Sequence, residues 1–154
     1  MRTILFFTIL MSINIFAQKQ PNYPNPEKGF KRVDLQLPKI DNEDDYKVEI
    51  TFSFEMELNI CTTESFSFRE IETKYAMPPY AYPYYVVNSD VVEVASSPIS
   101  DCKDENVVVR KKIFSDQRLF EGYSSVFIRR FYIPEYWTLE YRIWKASPEF
   151  KSIN

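Results

Sequence analysis

Lys47-Val48-Glu49-Ile50-Thr51-Phe52-Ser53-Phe54-Glu55-Met56-Glu57-Leu58-Asn59-Ile60 decides how this chain folds. Apolar side chains hold every even position and polar ones every odd position. A helix would scatter that pattern around its circumference. A strand with one buried face sorts it, and antiparallel sheets are where such strands occur. At about 3.3 Å per residue the stretch would reach roughly 50 Å, so a bend or bulge is expected within it.

Weaker versions of the pattern lie on either side. Val33, Leu35 and Leu37 alternate with polar residues after Lys31. Further strands are expected near Phe66–Lys74, Tyr84–Val87, Val107–Phe114, Ser125–Ile133 and Trp137–Trp144, the last with Trp137, Leu139, Tyr141 and Ile143 on one face. Pro38–Asp45 reads as a loop, and only Ser115–Glu121 has room for a turn of helix. The 13 Phe and 11 Tyr suit a pleated surface. Strands at this spacing predict an all-β chain built as an antiparallel barrel or sandwich.

The 154 residues are enough for one domain. Arg2, the apolar run Thr3–Phe16 and Ala17 read as a secretory signal peptide over residues 1–17, leaving a domain over 18–154. The apolar run is short for a membrane span. We therefore expect a periplasmic or secreted protein with no membrane association after signal removal. Residues 18–28, with Pro21, Pro24 and Pro26, form an extended arm that is ordered only if something packs on it.

An exported chain meets an oxidising compartment, so its two cysteines, Cys61 and Cys102, are expected to bond. Closing that loop of about 40 residues is worth roughly 4 kcal/mol on the chain-entropy model. There is no histidine, which removes histidine-based nucleophile activation and the commonest transition-metal ligand. Two glycines cannot build a phosphate-cradling loop. Asp41, Glu43, Asp44 and Asp45 form a polar run that reads as a solvated turn. We expect no catalytic residue, no metal and no cofactor. The net charge of −3 becomes −4 once Arg2 is removed, which argues against a nucleic-acid partner. Paired carboxylates remain available in principle, and binding another protein, rather than catalysis, is the expected role.

Two loops are candidates for contact. Met77–Tyr82 is stiffened by Pro78 and Pro79 and carries Tyr80 and Tyr82; it is either a rigid hairpin whose tyrosines pack locally or a rigid aromatic contact surface. Ala95-Ser96-Ser97-Pro98-Ile99-Ser100-Asp101 is small and polar, with a lone apolar Ile99, and runs into Cys102.

Several blocks together resemble the ecotin family of serine-protease inhibitors. They are Tyr23-Pro24-Asn25-Pro26-Glu27-Lys28-Gly29-Phe30-Lys31-Arg32, Lys47-Val48-Glu49, Cys61, Tyr84-Tyr85-Val86, Cys102 and Tyr141-Arg142-Ile143-Trp144-Lys145-Ala146. The resemblance implies an antiparallel barrel that pairs into a homodimer by exchanging its C-terminal strand, with Tyr141, Ile143 and Trp144 at the dimer contact. It implies a substrate-like loop, Ser97, Pro98, Ile99, Ser100 and Asp101, that enters chymotrypsin-fold serine endopeptidases. It also implies a secondary surface at Tyr80, Ala81 and Tyr82 and at Tyr123, Ser124 and Phe127.

The loop departs from the family, which carries Thr-Met-Met-Ala before the cysteine. Counting back from Cys102 puts Ile99 in the specificity pocket and makes Ile99–Ser100 the reactive bond. A second register matches Ser96–Ser100 to the family's Ser-Ser-Pro-Val-Ser. It then lacks the Met-Met segment and places inserted residues around Asp90–Val94. Glu64-Ser65 stands where the family has a His-Arg pair that supports the loop. A binding module that holds another protein or a glycan, without inhibiting a protease, is the alternative function.

Overall fold

The computed structural model describes residues 22–76, 82–103 and 106–153. The signal-peptide expectation therefore lies outside the described residues. Eight strands follow in order: β1 (Phe30–Leu35), β2 (Tyr46–Asn59), β3 (Thr62–Ala76), β4 (Tyr82–Pro98), β5 (Val108–Ser115), β6 (Leu119–Gly122), β7 (Arg129–Pro134) and β8 (Thr138–Lys145). Among the described residues the one helical piece is a 3-10 turn, Glu43–Asp45. The strands form one strongly curled, half-barrel sheet in the order β1-β7-β4-β3-β5-β2-β6, with β8 also on β2.

The alternating stretch is β2, and it is the hub. Ser53 pairs with Phe114 of β5 and with Thr138 of β8, so those two strands take opposite edges. β5 runs along Ser53–Asn59, β6 along Lys47–Ile50 and β8 along Tyr46–Ser53. β5 and β6 thus share one edge, joined by a corner. That corner occupies the segment with room for a helix, and β6 replaces the expected helical turn. Its residues are held by side-chain bonds: Gln117 Nε2 donates to the Phe68 carbonyl at 2.7 Å, and Phe68 N–H donates to Gln117 Oε1 at 2.9 Å. A single glutamine thereby imitates a strand neighbour for β3.

The predicted irregularity falls in a different strand. No register shift marks β2; the shift lies in the β3–β4 hairpin. Phe68 faces Val92 and Glu70 faces Asn88, so one residue of β3 (Arg69) is matched by three of β4 (Ser89, Asp90 and Val91). β4 therefore carries two surplus residues there. β4 is also far longer than the expected Tyr84–Val87, and it absorbs most of the polar stretch before Cys102. Backbone pairing to β3 sustains it where the side-chain pattern is silent. The expected strand Ser125–Ile133 is shorter, because residues 124–128 form an irregular segment whose residues 126–128 are exposed.

The inner face of β2 builds the core. Val48, Ile50 and Phe52 are fully buried together with Phe66, Phe131, Ile133 and Trp137. Trp137 is the centre of an aromatic cluster: its ring lies 4.9 Å from Phe66, 5.4 Å from Phe68 and 6.0 Å from both Phe52 and Phe54. Edge and tilted packings of this kind add to the burial of area. The N-terminal arm is ordered by packing. Arg130 sits over the Tyr23 ring at 4.2 Å, and Tyr132 Oη donates to the Pro24 carbonyl at 2.6 Å.

Phe52 touches Phe68, Phe131 and Trp137 from the hub strand. Phe52→Ala is expected to cost about 3–5 kcal/mol, the usual cost of deleting a fully buried aromatic ring. Chemical denaturation of the oxidised chain measures it. A loss under about 1 kcal/mol would mean that the cluster does not carry the core.

Candidate functional site

The stretch before Cys102 is not a free loop. Ser97 and Pro98 complete β4 opposite Thr63 and Thr62. Ile99 N–H donates to the Cys61 carbonyl at 2.8 Å, and Thr63 Oγ1 donates to the Ser97 carbonyl at 3.4 Å. Ser100 and Asp101 then turn the chain. Asp101 takes the left-handed region at φ 60°, which Asp tolerates better than most residues. Cys102 bonds Cys61, with Cα atoms 5.4 Å apart. The Ile99 side chain is 44% exposed.

The ladder decides which backbone groups a partner can reach. Because Ile99 N–H points at β3, the antiparallel alternation turns the groups of Ser96 and Pro98 to the other side. β7 pairs with β4 only at Tyr85 and Val86, so no strand among the described residues covers that other side. Proline is tolerated there because its missing N–H costs the ladder nothing.

The turn behind the loop has its own support. Lys111, on β5 opposite Met56, reaches the Asn59 carbonyl at 2.6 Å, the Thr62 carbonyl at 2.6 Å and the Ile60 carbonyl at 3.4 Å. Glu64 lies 3.8 Å from the same ammonium with its side chain 2% exposed, and it accepts from Thr62 Oγ1. Asn59 Oδ1 accepts the Cys61 N–H at 2.7 Å. Glu64, at the first place of the family's His-Arg pair, thus joins a lysine-centred cluster. Sequence reading does not find Lys111, since one lysine on an alternating strand looks like any solvated residue.

The second candidate surface is rearranged relative to expectation. Tyr123 is 7% exposed, with its hydroxyl donating to the Pro38 carbonyl, so its ring is turned into the core and away from any partner. Burial, with Glu43 nearby, pushes that hydroxyl's pKa up. Ser124 stays at the turn, where its carbonyl accepts from Arg129. Outward stand Val126 at 79%, Phe127 at 68% and Ile128. Three apolar residues in a row break strand alternation, and that was the available signal for Val126 and Ile128. Arg129 fixes the segment from below: Nε meets Glu121 at 2.6 Å and Nη2 meets the Gly122 carbonyl at 2.6 Å. Tyr85 donates to the same Glu121, and its pKa is pushed up by burial and then by that carboxylate. Tyr82 and Tyr75 are exposed at the end of the hairpin. Tyr80 and Ala81 lie outside the described residues.

The C-terminal strand β8 pairs with β2 of its own chain, from Tyr46 opposite Lys145 to Ser53 opposite Thr138. Tyr141, Ile143 and Trp144 are all partly exposed there. What holds the strand is Glu49, 3% exposed on the outer face of β2. Its carboxylate accepts from Arg142 Nη2 at 2.9 Å and Trp144 Nε1 at 2.6 Å, and Arg118 lies 3.2 Å away. Arg142 foremost holds the Glu49 carboxyl below the usual range, Trp144 adds to that, and burial opposes both. A second tie runs from Lys112 to Glu140 at 2.9 Å, and lowers the Glu140 carboxyl in the same way.

No group of three or more His, Cys, Asp or Glu side chains placed to hold a metal ion occurs among the described residues. What the fold presents is a strand end pinned by a disulfide and, apart from it, an apolar irregular segment and an exposed tyrosine hairpin. The chain belongs to the ecotin family, whose model matches residues 19–146. It is 30% identical over 163 residues to the ecotin of Serratia proteamaculans, covering 94% of this chain and 92% of the relative. A putative ecotin-like protein of Methylobacillus flagellatus is 28% identical over 134 residues, with 85% and 78% covered. The ecotin of Pseudomonas fluorescens is 28% identical over 128 residues, with 81% and 76% covered. The family is one of protease inhibitors and not of enzymes. Among the described residues no helix is long and apolar enough to cross a membrane.

The Glu49 cluster is expected to make β8 acid-labile. Glu49 and Glu140 both have folded values below the ordinary 4.5, so their contribution is complete above that value and lost as pH falls through the lowered ones. Protection factors across 139–145, corrected for the pH dependence of intrinsic amide exchange, should fall on acidification before those of the β3–β4 amides do. Glu49→Gln should show loosened β8 already at neutral pH, with a smaller acid step. An unchanged step in that variant would assign the lability to other groups.

Proposed function

We propose that this chain is an exported inhibitor of chymotrypsin-fold serine endopeptidases that presents residues 97–101 to the protease cleft in substrate-like form. The observation that carries the reading is Ile99: half-exposed, one residue past the end of β4, and held from behind by the Cys61 carbonyl and the Cys61–Cys102 bond. A segment fixed in its bound shape loses little entropy on binding, and its ends stay in place if it is cut. Ile99 is stiff at χ1 and suits a shallow, small-residue pocket. The family membership supplies the inhibitor role; the target class and the loop are this reading's own. Residues 1–17 act as a removable signal, and the protein works in the periplasm or outside the cell.

The working form is a homodimer. β8 exchanged between two copies would keep the same register on β2 and the same Glu49 contacts, now across chains. Val126, Phe127 and Tyr82 on one subunit would then touch a protease held by the loop of the other, and two weak surfaces act as one.

A second reading, a non-inhibitory protein- or glycan-binding module, is favoured by two observations. Ile99 N–H is already engaged by Cys61, and Pro98 has no N–H, so a protease adding a strand to the open side finds only part of a ladder. The two surplus residues of β4 at Ser89–Val91 also overlap the insertion around Asp90–Val94 that the second loop register requires. On that register the pocket-filling segment is missing altogether.

Titration of the processed protein against trypsin, chymotrypsin and elastase separates the two. Stoichiometric inhibition of elastase, with slow cleavage at Ile99–Ser100 seen by mass spectrometry, is the expected result. Absence of inhibition of all three, restored when Pro98-Ile99-Ser100-Asp101 is replaced by Thr-Met-Met-Ala, would assign the natural chain to the second reading.

A further inference from the structure

We infer that Lys111 is a positioning residue for the binding loop: its ammonium orients the peptide of Cys61, and through it Ile99. The inference deepens the inhibitor reading and rests on it for its consequence. Three backbone carbonyls meet at that ammonium. Those of Asn59, Ile60 and Thr62 converge on Lys111 Nζ at 2.6, 3.4 and 2.6 Å. Carbonyl oxygens aimed at one point repel one another, and an ammonium with three donors turns that repulsion into attraction. The carbonyl between them in sequence, that of Cys61, is the one turned away, and it accepts Ile99 N–H at 2.8 Å. Fixing the carbonyls of residues 60 and 62 therefore aims that of residue 61.

The cluster is closed on its other sides. Thr62 Oγ1, with one proton to give, sits between the Asn59 carbonyl at 2.9 Å and the Glu64 carboxylate. Glu64 is nearly sealed from solvent at 2% exposure, with Lys111 the cation beside it at 3.8 Å. Without Lys111 a buried carboxylate and a set of convergent carbonyls face each other uncompensated, and the turn must open to admit water. The disulfide alone does not prevent this. It ties the side chain of Cys61 to Cys102 and leaves the peptide plane of residue 61 free to rotate. Loop position thus has two independent anchors, a covalent one through sulfur and an electrostatic one through the backbone.

The test uses the processed chain with its disulfide intact, as wild type, Lys111→Met and Lys111→Arg. Amide exchange of Ile99 is read by NMR beside amides in the Phe52–Phe54 part of β2. In Lys111→Met, Ile99 should exchange about tenfold faster while the β2 amides hold, the change expected for losing one charge-assisted hydrogen bond. Lys111→Arg, which keeps the charge, should recover most of the protection. An Ile99 rate that does not move, or that rises only in step with β2, overturns the proposal. If Lys111→Met does not fold, Glu64→Gln is the second variant, with a smaller acceleration of Ile99 expected and no change counting against the proposal. With an inhibited protease, Lys111→Met should be cut within 97–102 faster than wild type, and equal cutting would overturn the functional half. If the wild type inhibits nothing, the inhibitor reading fails, and the Ile99 rates still decide whether Lys111 positions the loop.

Discussion

One strand's two-residue rhythm sets the rest of the molecule. β2 offers both edges and both faces: β5 and β6 on one side, β8 on the other, the aromatic core beneath and Glu49 above. A slip of one residue would put Phe52 and Val48 in water and Glu49 in the core, so the register is held by a large free-energy difference. Every element that carries a candidate contact is referred to this strand. The disulfide turn follows directly from its end, β5 brings Lys111 alongside it, and β8 closes over its start.

Much of the architecture was legible because it rests on side-chain alternation. The all-β class, the hub strand and the final strand follow from Val48–Ile60 and Leu139–Ile143, and the cysteine pairing from two thiols together with the expectation of export. Elements that depend on backbone pairing were not legible. β4 continues through Ala95-Ser96-Ser97-Pro98, residues with no alternation and little strand preference, because β3 supplies the hydrogen bonds. The corner at Gln117 reads as a possible helix turn and is a strand junction, since a side-chain amide can stand in for a strand. Such substitutions are tertiary facts with no local signature.

The same division runs through the site. Cys102 announces where the binding segment ends. Lys111, Glu64 and Arg129 are ordinary charged residues in the sequence; Lys111 and Arg129 matter because backbone carbonyls converge on them, and Glu64 because Lys111 lies beside it. Tyr123 shows the opposite error. Its place in a family block suggested a contact residue, and burial against Tyr46 and the Pro38 carbonyl makes it a structural one. Position by resemblance finds a segment, and only packing tells which of its side chains face out.

The β3–β4 hairpin and the β2–β8 seam differ in how far apart along the chain their partners lie. The hairpin closes over neighbours in sequence, whereas Glu49 and Arg142 are 93 residues apart. Local pairs form early and distant ones late, because loop closure must be met before the contact rewards it. On that ordering the cysteines, set at the root of the hairpin, come together while β8 is still unattached. The open edge of β2 is then a vacancy that persists through most of folding. A β8 from the same molecule, favoured by its tether, and one from a second copy would compete for it, so in the dimer proposed above the chain's concentration while it folds would weigh in its assembly.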